Sequence, residues 1–186
     1  SFTTTVGLIY QGQSGSPYSL VYSGDINGDN GTSNDLIFIP TDAQVDQMQF
    51  LGTDAYTAEQ QRANLKQWLA TTRYVKDHRG EYFERYGDNL PFESHFDFHF
   101  GQKFGIRTGK YVHALELTLD IMNVANLLNK DWGRTFSSGY NSEFVSPITY
   151  KGDGVFQFAN PSDMPLKYPS SYYSRWRGQV GLKYTF

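Results

Sequence analysis

Apolar and polar residues alternate with a period of two over unusually long stretches of this chain. Between residues 92 and 107, Phe92, Phe96, Phe98, Phe100, Phe104 and Ile106 share one parity, interrupted by Ser94 and Gln102. Glu93, His95, Asp97, His99, Gly101, Lys103, Gly105 and Arg107 occupy the other parity. Successive side chains of a strand point to opposite faces, so this pattern predicts a strand with one apolar and one polar face. After Thr108-Gly109-Lys110 the alternation resumes, with His113, Leu115, Leu117, Leu119 and Ile121 opposite Ala114, Glu116, Thr118 and Asp120. The C-terminal stretch sets Trp176, Val180, Leu182, Tyr184 and Phe186 against Arg175, Arg177, Gln179, Gly181, Lys183 and Thr185. Val6, Leu8 and Tyr10 mark a fourth strand near the N-terminus.

Length distinguishes these strands from ordinary ones. The longest covers about 15 residues, roughly 50 Å at about 3.3 Å per residue. Strands of soluble domains average about 5–6 residues, whereas about 9–11 are enough to cross a bilayer. The predicted layout has strands near residues 2–10, 92–107, 111–122 and 172–186, a tight turn at 108–110, and long loops over 11–91 and 123–171. Short turns on one side and long loops on the other characterise outer-membrane barrels, where the short turns are periplasmic and the loops extracellular.

Within the first loop, Thr57 and Gln60 have capping-box spacing, and Leu65, Trp68 and Leu69 follow at helical intervals, predicting a short helix against which Trp68 packs. Residues 19–23, 36–40, 144–149 and 155–158 are strand-like but too short to cross a membrane. The second loop, rich in Gly, Ser, Asn and Pro, reads as irregular around 137–140 and 160–165. Four long strands cannot close, since membrane barrels begin at about eight, and an open sheet leaves bare edges in lipid. The fold class expected is therefore all-β: a segment of an antiparallel transmembrane barrel, the C-terminal part of something larger.

Composition narrows the function. With 186 residues the chain fits one ordinary domain. Sixteen basic and nineteen acidic residues, a net charge of −3, lack the concentrated basic surface of a nucleic-acid binder. Zero cysteines exclude a disulfide framework and a thiolate zinc site. Aromatics at 17% must be buried or placed at an interface. No apolar run approaches the roughly 18 residues of a membrane helix. Ser1-Phe2-Thr3-Thr4 does not begin a basic-then-apolar signal peptide, so a mature product or a piece of a longer chain is expected. No Gly-x-Ser-x-Gly pentapeptide occurs, and Ser94 lies on the face opposite His95; no enzyme is expected.

Four segments make the chain recognisable. They are Ser16-Pro17-Tyr18 leading to Tyr22-Ser23-Gly24-Asp25-Ile26-Asn27-Gly28-Asp29 and Asn34-Asp35-Leu36-Ile37-Phe38-Ile39-Pro40; His78-Arg79-Gly80 with Glu84-Arg85 and Leu90-Pro91-Phe92; the run from Leu115 to Ile121 followed by Asn123-Val124-Ala125-Asn126-Leu127-Leu128-Asn129 and Asp131-Trp132-Gly133; and the terminal strand ending in Phe186. Together, and in this order, they resemble the C-terminal region of TonB-dependent outer-membrane receptors of Bacteroidetes, the SusC-like and Oar-like group. Tyr86 stands where that family usually has Asn after Glu-Arg.

The resemblance implies a barrel of about 22 strands, location in the bacterial outer membrane, and energised uptake of a glycan, peptide or chelated metal. The implied partners are membrane lipid, the remainder of the barrel with its plug, the TonB complex, the barrel-assembly machinery and a SusD-like surface lipoprotein. Two other readings compete: a surface-exposed β-rich binding or adhesion module that folds in water, and a passive porin.

Three groups of residues are candidate sites. Asp25, Asn27 and Asp29 at spacing two, with Asn34 and Asp35 nearby, resemble an oxygen cage for calcium or another hard cation. Asn30 at the sixth position and Leu36 at the twelfth exclude an EF-hand, and Asn, Asp and Gly also dominate plain polar turns. Glu93, His95, Asp97 and His99 share a face, with Glu116 and Asp120 on the next strand set to pair with the histidines. A metal site or proton relay is one reading, and the polar lining of a lumen is the plainer one. Finally, Gln179, Gly181, Tyr184 and Phe186 look like the terminal signal read by the assembly machinery, through pairing at an exposed strand edge. Tyr111, Trp132, Tyr172 and Tyr173 lie at strand ends, where aromatic girdles form.

Overall fold

A computed structural model describes residues 1–138, 144–158 and 168–186. In chain order the elements are β1 (Phe2–Gln13), β2 (Pro17–Ser23), α1 (Asp42–Gln47), β3 (Gln49–Phe50), α2 (Ala58–Thr71), α3 (Arg73–Asp77), β4 (Asp88–Asn89), β5 (Glu93–Thr108), β6 (Tyr111–Met122), α4 (Val124–Leu128), β7 (Phe136–Ser137), β8 (Phe144–Tyr150), β9 (Val155–Phe158), β10 (Tyr168–Pro169) and β11 (Arg177–Thr185). The protein is predominantly β with few helices. Residues 160–165 and part of 137–140, expected to be irregular, lie outside the described residues.

The chain divides into two compact units. The first comprises Ser1–Gly15, Pro91–Phe136 and Pro169–Phe186. Its four strands form an antiparallel sheet in the order β1-β5-β6-β11. Gly109 and Lys110 make the two-residue turn between β5 and β6, where Thr108 pairs with Tyr111. The terminal strand begins at Arg177 and not near residue 172, because residues 171–175 form a turn.

Register carries the alternation from strand to strand. Val6 faces Phe100, Phe100 faces Leu119 and Leu119 faces Val180; two rows along the same face, Phe104 lies between Phe2 and Leu115, and Leu115 faces Tyr184. Every large apolar residue at these positions therefore joins one continuous face. That face is open: Val6, Leu8, Val180 and Leu182 are 65, 66, 71 and 71% exposed. Gln102 interrupts it without leaving a polar group unpaired. Its Oε1 accepts from Thr4 Oγ1 at 2.7 Å, and its Nε2 donates to the Thr3 carbonyl at 2.9 Å.

The second unit, Ser16–Leu90 with Ser137–Tyr168, has a closed core. Its sheet has the order β3-β9-β8-β2-β4 and is mixed: β2 runs parallel to β8 and β3 to β9, while β8–β9 and β2–β4 are antiparallel. Leu20, Ile37, Ile39, Leu65, Leu69 and Ile148 are fully buried, and Trp68 packs against Phe158 at 5.7 Å between ring centres. Helix α2 starts at the Thr57–Gln60 capping box, and α1 starts at a second one, Thr41–Gln44. Fully buried Gln61 ties α2 to the sheet, accepting from the Phe158 N–H at 2.9 Å and donating to the Leu51 carbonyl at 2.8 Å. Thus the stretches expected to be separate loops share one folded unit, and β8 and β9 give the second of them regular structure. Residues 36–40 form only isolated bridges, Val21 to Leu36 and Phe38 to Tyr82.

Asp88 anchors this unit. Its carboxylate is 8% exposed within the residue as a whole and accepts from Tyr18 Oη at 2.9 Å and Arg73 Nη2 at 2.6 Å. Burial, then the Asp88 charge, pushes the Tyr18 hydroxyl well above the usual tyrosine range, and burial raises Tyr22 as well. An acid whose folded pKa is raised stabilises the fold fully below its unfolded value, about pH 10, and ever less as pH climbs above it. Equilibrium unfolding followed between pH 9 and pH 11.5 is therefore expected to show falling stability above about pH 10, with a shallower fall in Tyr18→Phe. Tyr86, where the resembling family has Asn, sits at φ 58°. Left-handed backbone is unfavourable for a bulky side chain and readily adopted by Asn. A hydrogen bond from its N–H to buried Ser19 Oγ at 2.8 Å holds it there. Tyr86→Asn is expected to raise stability by about 0.5–1 kcal/mol in urea unfolding, by relieving that strain.

Candidate functional site

The polar face of the first unit gathers the charged residues of its strands. His99 and Asp120 are register partners, and Nδ1 lies 2.6 Å from Oδ1. Both side chains are about two-fifths exposed, 39 and 42%, which places the pair in the range where solvent screening leaves little net stabilisation. Glu116 has Lys103 and Lys183 as its register partners, so of the two acids only Asp120 meets a histidine, His99. Gln179 continues the His99–Asp120 row on β11.

Toward the start of β5 the same face has a holding role. Glu93, buried, accepts from Gln13 Nε2 at 3.3 Å and from Thr135 Oγ1 at 3.4 Å. His95 Nε2 lies 3.2 Å from that same Thr135 hydroxyl. Asp97 Oδ1 accepts the Asn123 N–H at 2.8 Å. These side chains tie the 123–136 segment to β5. Among the described residues no group of three or more His, Asp and Glu side chains converges as metal ligands do.

The segment after β6 is organised by its asparagines, a role that periodicity does not reveal. Asn123 takes φ 54° and donates from Nδ2 to the Gly133 carbonyl at 2.8 Å. Asn126 Nδ2 donates to the carbonyls of Lys130 and Trp132, at 3.0 and 2.9 Å, and Asn129 Oδ1 accepts from Asp131 N–H at 2.9 Å. Gly133, at φ 60°, is packed so closely that a Cβ there would collide with the Asn123 side chain. The Asn-x-x-Asn-x-x-Asn spacing followed by Trp-Gly is therefore the signature of one self-capped turn.

In the second unit, the loop holding Asp25, Asn27, Asp29, Asn34 and Asp35 is gathered by hydrogen bonds. Asp25 accepts from the backbone N–H groups of Gly28, Asp29 and Asn30, at 2.6, 3.1 and 2.8 Å. Asn27 Nδ2 donates to Asp35 at 2.6 Å, and Asn34 Nδ2 donates to Asp29 at 2.9 Å. The Gly31 N–H, joined by the amides of Asn27 and Asn34, holds the Asp29 carboxyl below the usual range. The five residues named from the sequence do meet, with N–H donors directed at the oxygens.

Aromatic rings collect at both ends of the open sheet. Phe2 packs edge-on to Phe104 at 5.3 Å, and Tyr184 bonds His113 at 2.7 Å and stacks on Phe186 at 6.0 Å. Tyr111 is exposed at this same end. At the other end Tyr10 meets Phe96 at 4.9 Å, Tyr172 meets Tyr173 at 5.1 Å, and Arg177 caps the Tyr172 ring at 4.9 Å. Exposed Trp132 and Trp176 add to this group. Gly181 pairs with Thr118, whose Oγ1 would lie 2.4 Å from a Cβ, so a larger residue there would push into the strand pair. Phe186 is 88% exposed, and β11 pairs on one side only among the described strands.

Comparisons with protein-family models, with curated proteins and with solved structures return no match for this chain. Its geometry therefore carries the functional reading. Gly133→Ala is expected to destabilise the first unit by about 1–3 kcal/mol, through positive-φ strain and loss of the Asn123 bond. Chemical denaturation checks this; Ala125→Ser, placed on the same segment, serves as the neutral comparison.

Proposed function

We propose that the four-stranded sheet is part of the wall of an outer-membrane transport barrel of the TonB-dependent kind, and that the chain contributes to energised nutrient uptake. One observation carries the reading: the register joins most large apolar residues of the four strands into a single exposed face, while all the charged residues of the strands, with Ile9, Val112 and Met122 among them, occupy the other. A barrel wall needs that division between lipid and a polar lumen. The aromatic groups at the two ends match the girdles that flank the apolar band. Phe2 and Tyr10 are eight residues apart on β1, roughly 26 Å along the strand, comparable with a band about 25 Å tall.

In this reading the Gly109-Lys110 turn is periplasmic, and the connections that carry the second unit leave the sheet at its extracellular end. The open edges of β1 and β11 pair with further strands of the barrel, because lipid tolerates no bare edge. His99, Asp120, Lys103, Glu116 and Lys183 then line the lumen. The second unit is the surface that meets substrate or a lipoprotein partner, and its closed core is the specific observation in favour of the competing reading, a binding module that folds in water. Heat-modifiability decides between them. The barrel reading expects the protein in the outer-membrane fraction, with different gel mobility before and after boiling. Recovery of a monodisperse protein without detergent would establish the binding module instead. Deleting Phe186 is expected to lower outer-membrane abundance several-fold in a quantitative immunoblot, since the exposed terminal edge is what an assembly partner pairs with.

A further inference from the structure

On the apolar face of β5, at the end carrying Tyr10 and Phe96, there is a cleft of about 370 Å³. Phe92, Ser94 and Phe96 line it from the strand side, and Asp131, Trp132 and Arg134 from the asparagine turn. By parity these strand residues continue the face of Phe98 and Phe100, so the cleft opens toward lipid if that face does. Phe92 is 62% exposed and Trp132 55%, leaving both rings available to a ligand.

We propose that this cleft binds the sugar headgroup of a membrane glycolipid, with the acyl chain running along the apolar face below it. The inference rests on the membrane reading above. Three features select this ligand. Four aromatic rings, Phe92, Phe96, Trp132 and Phe136, share the wall with the polar side chains of Ser94, Asp131 and Arg134, the mixture of a site that grips an apolar body and orients it. Its rim is an internally neutralised pair: Arg134 Nη2 bonds Asp131, and Arg134 Nε bonds the Lys130 carbonyl at 3.2 Å. Such a rim offers donors and an acceptor together, which hydroxyl groups use in full, whereas a phosphate would meet the Asp131 carboxylate. An exposed indole at a membrane boundary supplies a flat surface for the C–H face of a pyranose, and the amphipathic Trp ring is placed at that depth by its own chemistry. The turn holds this arrangement in place, since the carbonyl of Trp132 is bonded by Asn126 and that of Gly133 by Asn123.

The test uses the full-length protein in an amine-oxide detergent, titrated with dodecyl maltoside or, as headgroup control, dodecylphosphocholine, and read by native mass spectrometry. The proposal expects about tenfold higher occupancy for the maltoside, falling to parity in Trp132→Ala and in Ser94→Trp, which fills the cleft from the strand side. Each variant is first checked for a heat-modifiable band, and Ser94→Trp alone decides if Trp132→Ala does not assemble. Equal occupancy of the two headgroups in a heat-modifiable protein would overturn the cleft and leave the barrel standing. So would an excess that survives the variants. A protein that remains monodisperse in water would overturn the membrane reading, and the glycolipid site with it.

Discussion

The apolar face of the four-stranded sheet must be taken out of water, and the rest of the molecule is organised around that demand. Fully burying a large apolar side chain is worth roughly 1.5–3 kcal/mol, so a face on which Val6, Leu8, Val180 and Leu182 are each about two-thirds exposed leaves several kcal/mol unrealised. A typical domain is stable by only about 5–15 kcal/mol. Ordinary surface exposure of single residues needs no explanation; a contiguous face across four strands does. The Thr4–Gln102 pair is consistent with a dry surrounding, because both side chains satisfy each other and a backbone carbonyl without help from water.

A sandwich would meet the same demand by laying a second sheet on the first. The second unit is the part of the chain with enough apolar residues to supply one, yet Leu20, Val21, Ile37, Ile39, Leu65, Leu69 and Ile148 are already consumed in its own core. The opposite face of the first sheet argues in the same direction. It carries Lys103, Glu116 and Lys183 in one register row and His99 and Asp120 in another, with Gly101, Thr118 and Gly181 between them, an arrangement that calls for water or a polar partner. The proposed barrel wall, with lipid on one side and water on the other, would satisfy both faces at once.

The long strands were legible in the sequence because a half-buried strand writes its two faces as alternate letters. In the second unit the segments 19–23, 144–149 and 155–158 read as strand-like and form β2, β8 and β9, but their joining into one sheet was not legible, for an equally physical reason. Leu20, Val21 and Tyr22 are buried in succession on a strand with neighbours on both sides, so β2 has no alternation to read. Its partners come from opposite sides of the two longest strands, and parallel pairing of β2 with β8 joins residues more than a hundred positions apart. The capping box at Thr57 signalled α2; the identical signature at Thr41 and Gln44 was equally present and marks α1, but that helix is only six residues long and shows no apolar period. Among the site residues, the Asp25 loop was legible as a cluster and the His99–Asp120 pair as a register consequence. The asparagine turn was visible only as a family likeness, since its logic lies in side-chain bonds to backbone carbonyls that no period encodes.

Tyr86 shows how such likeness becomes physics. A position after Glu-Arg that takes left-handed backbone has a reason to carry Asn, whatever the ancestry of the chain. The Tyr found there keeps the conformation because buried Ser19 accepts its N–H and Arg85 lies 5.4 Å over its ring. The backbone path is thus what favours Asn at such a position, and this chain meets it with Tyr. The same logic joins Asn123 to Gly133: one supplies a left-handed residue with an amide to donate, the other the only side chain small enough to receive it. Where the open sheet meets its connections, geometry of this kind settles the placement of Trp132, and therefore what the rim of the apolar face can hold.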